Sequence, residues 1–277
     1  MNDENQDQMN DYSTFEIVTK FREPLINRII NSLNIKPGSK GIDIGCGIGY
    51  ITKILSTKTG HEGKIVGLDY SEDFIEFAKK NAQQKNMEFH QGDINCLNYK
   101  RDSFDWIWSM DTIWAGPEEF GCPADNPDQI LNKFHQILKP GGMVYLVFWS
   151  SQKLLPGYPL LEARLNAATS ANAPYLNNMN SDNHILNGRT WLSKANFENI
   201  EAKTFLSDIA APLSENSKNA LKTLFQMFWG NSEREVSPED WVKFNAICSP
   251  NSDEFILNSP AYYGFYTYTL FQGQRLE

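Results

Sequence analysis

The sequence predicts a doubly wound α/β fold, in which helices cover both faces of a mostly parallel sheet. Through residue 148, short apolar runs alternate with stretches of helical periodicity, as in a chain of β-α units. Ile42 and Ile44 are typical of the end of a buried strand, which leads directly into a glycine-rich turn at Gly45–Gly49. With 277 residues, of which 41% are hydrophobic, the chain is long enough for one large domain or one domain with an elaboration.

The glycine-rich turn is the first candidate binding site. Ile51, Ile54 and Leu55 have the i, i+3, i+4 spacing that predicts a helix directly after the turn. A strand, a glycine turn and a helix N-terminus together offer backbone N–H groups and a positive dipole to an anionic ligand group. The glycine spacing differs from the dinucleotide fingerprint, whose third glycine would fall at Tyr50.

Acidic and polar residues follow the next three predicted strands. Asp69 ends the strand Lys64–Asp69, roughly twenty residues after the glycines, where a carboxylate can accept both ribose hydroxyls. Gly92-Asp93-Ile94 follows the strand Met87–Gln91, and the strand 104–109 leads into Met110 and Asp111. Open α/β sheets bind ligands at the carboxyl ends of their strands, so these residues are expected to share one site.

Local signals place the remaining elements. A polar start of about ten residues precedes residues 12–21, which form either a short helix closing over the site or a segment packed on the body. A separate helix then has Pro24 in its first turn. The other predicted elements are a helix starting at Ser71, a helix starting at Asn126-Pro127, a turn at Leu138–Gly142, a strand over 143–148, a helix over 160–168, a helix from Gly188 to near Phe197, a strand over 200–206, helices starting at Ser214 and Ser237, and a strand over 262–271.

Four features in order resemble the class I S-adenosylmethionine (SAM)-dependent methyltransferases, nearest the ubiquinone and menaquinone biosynthesis group. They are the D-x-G-x-G-x-G phrase from Asp43, Asp69, the Gly92-Asp93 pair and the L-K-P-G-G turn. The resemblance implies a Rossmann-like, doubly wound, seven-stranded, mostly parallel sheet with an antiparallel last strand and a helical cap. It implies SAM as cofactor, S-adenosylhomocysteine (SAH) as product, and in-line SN2 transfer of a methyl group to a small-molecule acceptor.

The resemblance also assigns residues to the cofactor. The acid before the glycines would reach the methionine amino group, Asp69 the ribose, and Asp93 with the following N–H the adenine. The full set of cofactor-binding residues that it implies is Asp43, Gly45, Cys46, Gly47, Gly49, Asp69, Tyr70, Gly92, Asp93, Ile94, Ser109, Met110 and Asp111.

The chain is divided on this basis into an N-terminal arm or lid (1–21), a SAM-binding core (22–150), a cap insertion (151–187) and a C-terminal part of the sheet (188–277). The last part carries a helical cap insertion at about 210–258. Substrate choice is expected to reside outside the core.

Catalysis is expected to depend mainly on positioning, because a sulfonium is already a strong electrophile. If the acceptor must lose a proton, Asp111 and His184 are the candidate general bases. Asp111 can equally be a loop carboxylate or a contact to the cofactor's methionine part. Tyr12, Trp114, Tyr158 and His184 are candidate substrate contacts, although Trp114 can equally be core and His184 a surface residue.

Composition argues against several partner classes. The formal net charge of −9, without a local Lys/Arg cluster, argues against a nucleic-acid partner. The sequence contains no run of eighteen apolar residues and begins with a polar stretch, so neither a membrane span nor a signal peptide is predicted. The four cysteines form no C-x-x-C pair, which predicts neither a metal site nor a disulfide frame and favours the cytoplasm. The oligomeric state, monomer or homodimer, stays open.

Two other functions remain compatible with parts of the sequence. Asp69 would also suit an NAD-dependent oxidoreductase, which Tyr50 and the L-K-P-G-G turn disfavour. A non-catalytic SAM-binding module, whose cap regulates a partner protein, would share every cofactor feature and differ only in lacking turnover.

Overall fold

The structure is a computed structural model that describes residues 12–82, 84–113, 126–168 and 181–276. The strands in these ranges are β1 (Lys40–Ile44), β2 (Lys64–Asp69), β3 (Met87–Gln91), β4 (Phe104–Met110), β5 (Leu138–Lys153), β6 (Glu198–Ala210) and β7 (Tyr263–Gln274). The α-helices are α1 (Tyr12–Ser32), α2 (Tyr50–Thr59), α3 (Glu72–Asn81), α4 (Pro127–Ile137), α5 (Pro159–Asn166), α6 (Gly188–Lys194), α7 (Glu215–Trp229) and α8 (Pro238–Cys248).

The strands form one seven-stranded sheet in the order β3-β2-β1-β4-β5-β7-β6. Strand β1 pairs in parallel with β2 and β4, and the parallel pairing continues outward to β3 and β5. The last strands are antiparallel, as the resemblance implied. The strand order reverses between β1 and β4, which is the switch point where such sheets bind ligands. The predicted fold class is confirmed.

Two compact units make up the chain. The described parts of residues 26–150, 179–205 and 268–277 form the larger unit, which contains β1 to β4 and the glycine-rich turn. The described parts of residues 1–25, 151–178 and 206–267 form the smaller one. The four-part division made from the sequence stays a prediction.

The centre of the larger unit is built on β1, β2 and β4, which are buried along nearly their whole length. Ile42, Ile44, Ile107, Val144 and Leu146 are fully buried. Parallel strands covered on both faces read as continuous apolar runs rather than as alternating ones, because neither face meets water. This explains why the strands were recognisable in the sequence.

Serine and asparagine caps begin the helices where the sequence placed them. Ser71 accepts the N–H of Phe74 at the start of α3, and Ser237 accepts that of Asp240 at the start of α8. Asn126 and Ser214 cap α4 and α7 in the same way. Each cap satisfies a backbone donor that the first helical turn would leave unpaired.

The first helix corrects one prediction. Residues 12–21 and the segment with Pro24 are a single helix, α1, and Pro24 lies inside it rather than in a first turn. A proline inside a helix costs one backbone hydrogen bond, which tertiary packing can offset. Leu25, Ile26 and Ile29 are fully buried and supply that packing.

Strand β5 corrects a second prediction. The L-K-P-G-G segment was predicted as a turn, but it belongs to β5, which begins at Leu138. The Gly141 N–H donates to the Arg275 carbonyl at 2.6 Å, and the Arg275 N–H donates to the Gly142 carbonyl at 2.9 Å. This reciprocal pairing with the end of the chain's last strand extends β5 through the glycines, although Gly141 keeps a φ of 79°.

Arg275 also closes the end of α4. Its guanidinium, 6% exposed, donates to the Asp102 carboxylate at 2.7 Å and to the carbonyls of His135, Gln136 and Leu138. The last carbonyls of a helix lack intrahelical partners, so a buried cation there satisfies them and complements the helix dipole.

In the smaller unit, Glu162 of α5 is buried. Its carboxylate accepts the Leu154 N–H at 2.7 Å, and the Tyr262 hydroxyl donates to the Leu154 carbonyl at 3.0 Å. Burial raises the pKa of Glu162. In the described ranges, none of the helices combines the length and the apolar character needed to cross a membrane.

Candidate functional site

The predicted cofactor residues of the larger unit meet at one edge of the sheet. The register aligns Ile44 of β1 with Leu68 of β2 and with Ser109 of β4, and Asp69 of β2 with Gln91 of β3. Because these strands are parallel, their carboxyl ends lie side by side. The glycine turn, Asp69 and the residues after β3 and β4 are therefore neighbours, as the sequence predicted.

The glycine turn has a backbone that only glycine adopts easily. Gly45, Gly47 and Gly49 have φ values of 80°, 52° and 78°. The N–H groups of Gly45 and Cys46 both donate to the Leu68 carbonyl, at 2.8 and 3.0 Å, which fixes the turn to β2.

Space above the turn differs from one glycine to the next. A Cβ on Gly45 would lie 2.0 Å from the Thr112 hydroxyl oxygen, so Thr112 is packed against the backbone there. A Cβ on Gly47 would have nothing within 4 Å, which leaves the middle of the turn open to a ligand. Gly49 is the N-cap of α2 and offers no side-chain acceptor, so the helix directs its dipole toward this space.

Asp43 is a buried carboxylate beneath the turn. It is 1% exposed, and Thr52 of α2 donates a hydrogen bond to it at 2.6 Å. Burial, together with the charge of Asp69 and against the Thr52 hydrogen bond, raises the pKa of Asp43 to about 7. A cation at this position would favour the ionised form again. The contact of Thr52 was not predicted, because this residue stands in no motif; it lies in the first turn of α2.

Asp69 holds the turn from the other side. Its carboxylate accepts the Gly47 N–H at 2.7 Å and the Ser71 N–H at 3.0 Å, one on each oxygen. Burial raises its pKa, against the opposing effect of these hydrogen bonds. A carboxylate oxygen can accept more than one hydrogen bond, so both remain able to accept ribose hydroxyls. The ribose contact stays a prediction.

The residues next to Asp69 and after β3 offer an exposed ring and a carboxylate. The Tyr70 side chain is 59% exposed. The Gly92 N–H donates to the Asp69 carbonyl at 2.8 Å. Asp93 accepts the Asn95 N–H at 2.7 Å at the start of a short 3-10 helix, and Ile94 is buried. The adenine roles of Tyr70, Gly92, Asp93 and Ile94 stay predictions.

Cys46 lies inside the turn, and Ser109 lies at the end of β4. Burial raises the pKa of the Cys46 thiol well above its ordinary value, so the thiol is neutral and not reactive. Ser109 is 1% exposed, and its hydroxyl finds no hydrogen-bond partner among the described residues. An unpaired buried hydroxyl at the ligand-binding edge is what a polar ligand or a water molecule would satisfy.

The end of β4 has an unusual backbone. Asp111 has a φ of 53°, its N–H donates to the Val147 carbonyl at 2.9 Å, and its carboxylate accepts the Trp149 N–H at 2.7 Å and the Tyr268 hydroxyl at 2.8 Å. The Thr112 hydroxyl bonds to the Met110 carbonyl at 2.9 Å. The contacts of Thr112 and Tyr268 were not predicted. The base role and the methionine role of Asp111 stay predictions.

The four candidate substrate residues are distributed differently. Tyr12 on α1 and Tyr158, the N-cap of α5, belong to the smaller unit, and Lys243 lies 5.2 Å over the Tyr158 ring. His184 belongs to the larger unit, where its Nδ1 accepts the Leu186 N–H at 3.1 Å, and burial lowers its pKa. Trp114 lies outside the described residues.

Taken together, the residues at this edge fit the cofactor that the resemblance implies. SAM carries an ammonium and a sulfonium, and the turn is flanked by two largely buried carboxylates, Asp43 and Asp69, whose ionised forms are penalised in the absence of a cation. The open face of Gly47 and the unpaired Ser109 hydroxyl offer room and a polar contact.

Comparisons with known proteins agree with this geometry. A family model described as a methyltransferase domain matches residues 35–226. A demethylmenaquinone methyltransferase of Staphylococcus epidermidis is 33% identical over 153 residues, which are 54% of this chain and 57% of that protein. One from Staphylococcus carnosus is 28% identical over 225 residues, 75% of this chain and 86% of the relative. The match to the first of these relatives thus spans just over half of its length.

Solved structures agree on the fold. A Bacillus halodurans protein described as a methyltransferase has a TM-score of 0.55 and 14% identity, with 91% of this chain and 99% of that one covered. A phosphoethanolamine N-methyltransferase of Haemonchus contortus, solved with SAM, has a TM-score of 0.52 and 16% identity, covering 91% of this chain and 52% of that one. At such identities the likeness supports the architecture alone.

Proposed function

The chain belongs to the methyltransferase-domain family, and from this premise we propose that it transfers the methyl group of SAM to a small-molecule acceptor. The observation that carries the proposal is a pair of carboxylates, the buried Asp43 and the partly buried Asp69, on either side of a glycine turn that is open at Gly47. A cationic nucleoside cofactor meets both requirements of such a site, charge and close approach to the backbone. SAH is the expected product.

In this proposal the protein contributes positioning and water exclusion. When bound, SAM supplies an electrophilic methyl group on its sulfonium. Asp43 would hold the cofactor's ammonium, with Thr52 fixing the carboxylate, and Asp69 would hold the ribose while it fixes the Gly47 N–H. Placing the reacting atoms in line can contribute about 7–11 kcal/mol to a reaction of this kind.

For the acceptor we propose an apolar ring compound of the quinone type. The support comes from the name of the relatives, which are demethylmenaquinone methyltransferases. The candidate acceptor contacts remain Tyr12, Tyr158 and His184, which the structure describes, and Trp114, which lies outside the described residues. A location in the cytoplasm is proposed on the scattered cysteines.

A general base is needed only if the acceptor loses a proton. His184 is a neutral imidazole at pH 7, because burial lowers its pKa. Its Nδ1 accepts the Leu186 N–H, so the neutral ring carries its proton on Nε2, and a base role would require Nδ1 to give up that hydrogen bond. Asp111 already accepts hydrogen bonds on both carboxylate oxygens. Both base roles stay predictions, and His184→Ala and Asp111→Asn would separate them. Removing a general base should lower kcat most above the pKa of that base, where the wild-type group is deprotonated, and least below it.

Calorimetric titration with SAH tests the cofactor directly. We expect the wild-type protein to bind SAH, and Asp43→Asn and Asp69→Asn to bind at least about tenfold more weakly, because each loses a charge-assisted contact. Asp105→Asn is the matched control. This carboxylate lies at the opposite end of β4, where it accepts from the Lys40 N–H and from Lys139, so its loss should leave SAH affinity unchanged.

Turnover separates the enzyme from a binding module. The wild-type protein, given methyl-labelled SAM and a panel of reduced quinone-type acceptors, should release labelled product and SAH. SAH binding without turnover on any acceptor, combined with recovery of a partner protein, would favour the non-catalytic alternative. A folded protein that binds NAD and not SAH would overturn the proposal.

A further inference from the structure

We infer that Tyr268 on β7 is a positioning residue for the glycine turn at Gly45–Gly49, and that it acts through Asp111 and Thr112. The inference rests on the proposed function, since it concerns the same site. It links β7 to β1 through a series of contacts that all lie within the larger unit.

The first contact is made by the Tyr268 side chain. Tyr268 is fully buried, and its hydroxyl donates to the Asp111 carboxylate at 2.8 Å across 157 residues of sequence. Its ring packs edge-on against Trp149, with centroids 5.5 Å apart and an interplanar angle of 76°. A buried tyrosine needs a partner for its hydroxyl, and a carboxylate is among the strongest acceptors available.

The second contact is the backbone of Asp111. A φ of 53° is sparsely populated by residues other than glycine, and such conformations persist where surrounding contacts enforce them. Three hydrogen bonds enforce this one. They run from the Asp111 N–H to the Val147 carbonyl, from the Trp149 N–H to Oδ1, and from the Tyr268 hydroxyl to Oδ2. Of these three bonds, the one from Tyr268 joins Asp111 to β7, whereas the other two join it to β5.

The third contact is Thr112, which the Asp111 backbone places against the glycine turn. The Thr112 hydroxyl lies 2.9 Å from the Met110 carbonyl and 3.2 Å from the Ile44 carbonyl, at the end of β1. The same side chain fills the space where a Cβ of Gly45 would stand. A shift of Asp111 therefore moves the side chain that supports the start of the turn.

These contacts define positioning rather than catalysis. The Tyr268 hydroxyl donates to Asp111, so the group that it contributes holds a carboxylate. Loss of the hydroxyl should loosen Asp111 and Thr112, and thereby reduce the affinity for SAH and raise the KM for SAM.

The test compares Tyr268→Phe with Thr269→Val. Thr269 is the next residue of β7, is also buried, and its hydroxyl contacts Ser150 at 2.9 Å and Thr204 at 3.0 Å. Each variant removes one buried hydroxyl from the same strand with little change of shape. We expect both to lower the melting temperature, but only Tyr268→Phe to weaken SAH binding, by about tenfold. Equal SAH affinities for the two variants would overturn the inference.

A double-mutant cycle tests the route. Asp111→Gly removes the carboxylate but tolerates the positive φ. If Tyr268 acts through Asp111, then Tyr268→Phe has no further effect on SAH affinity in the Asp111→Gly background. A tenfold loss that persists in that background would contradict the route.

Two further results are informative. If Tyr268→Phe does not fold, Asp111→Gly removes the same hydrogen bond from the other side, and unchanged SAH affinity in that variant overturns the inference. A folded wild-type protein that binds no SAH contradicts the proposed function itself, whereas wild-type binding with an unaffected Tyr268→Phe contradicts only the positioning role.

Discussion

Replacing Asp43 by asparagine should alter the pH dependence of stability, because this carboxylate is buried without a cation. Asparagine has nearly the same shape, and its side-chain oxygen can still accept the Thr52 hydroxyl that lies 2.6 Å from Asp43. The substitution therefore removes the titrating charge and leaves the packing in place.

The size of the effect follows from the pKa of Asp43. Burial raises it from an ordinary value of 3.8 to about 7. One pKa unit corresponds to about 1.4 kcal/mol, so the ionised form costs the cofactor-free folded protein about 4 kcal/mol at pH 8. Since the folded pKa is the higher one, the folded state retains the proton between about pH 4 and pH 7, and the free energy of unfolding should fall as the pH rises across that window.

The assay is urea denaturation of the wild type and of Asp43→Asn at several pH values between 4 and 8. We expect the difference between the two free energies of unfolding to grow with pH in favour of the variant, and to level off above about pH 7. SAH should restore wild-type stability at pH 8 and have much less effect on the variant. Parallel pH curves for the two proteins would refute the reasoning.

Three further predictions concern other parts of the chain. Arg275→Ala should lower the free energy of unfolding by about 3 kcal/mol in urea denaturation, because it leaves Asp102 and helix-end carbonyls without their buried cation; a loss below about 0.5 kcal/mol would contradict this. Gly45→Ala should abolish SAH binding in calorimetry, since its Cβ would meet Thr112, whereas Gly38→Ala, at a similar φ but in open space, should bind normally. Because burial raises the pKa of Glu162, the wild type should lose stability as the pH rises above the ordinary glutamate pKa, and Glu162→Gln should not. Thermal melts between pH 4 and 8 test this, and the same slope of melting temperature against pH for both proteins would contradict it.

Much of the fold could be predicted because its signals are local. Buried parallel strands are short apolar runs, and caps such as Ser71 and Ser237 lie within three residues of the N–H groups that they accept. The positions of Asp43 and Asp69 followed from the ends of such runs. Any residue that acts within its own strand or turn is visible in this way.

Residues that act across the sheet could not be predicted. Thr112 contacts Ile44 over 68 residues and Tyr268 contacts Asp111 over 157, and neither stands in a motif. The two errors in element boundaries have the same cause. Burial of residues around Pro24 keeps α1 continuous, and pairing with Arg275 turns Gly141 and its neighbours into strand. In each case tertiary contacts override a local preference.

Strand β6 lies at one edge of the sheet, and its outer hydrogen-bonding groups could pair with a strand of another molecule. The first half of β6 carries exposed charged residues at Glu198, Glu201 and Lys203. Asn199 interrupts the regular strand backbone with a φ of 50°. Charges and irregularities of this kind are how natural sheets discourage edge-to-edge aggregation. Replacing these charges with valine or threonine would raise the β propensity of the strand. It would also lower the solubility of the protein, because the edge could then pair with the edge of another molecule.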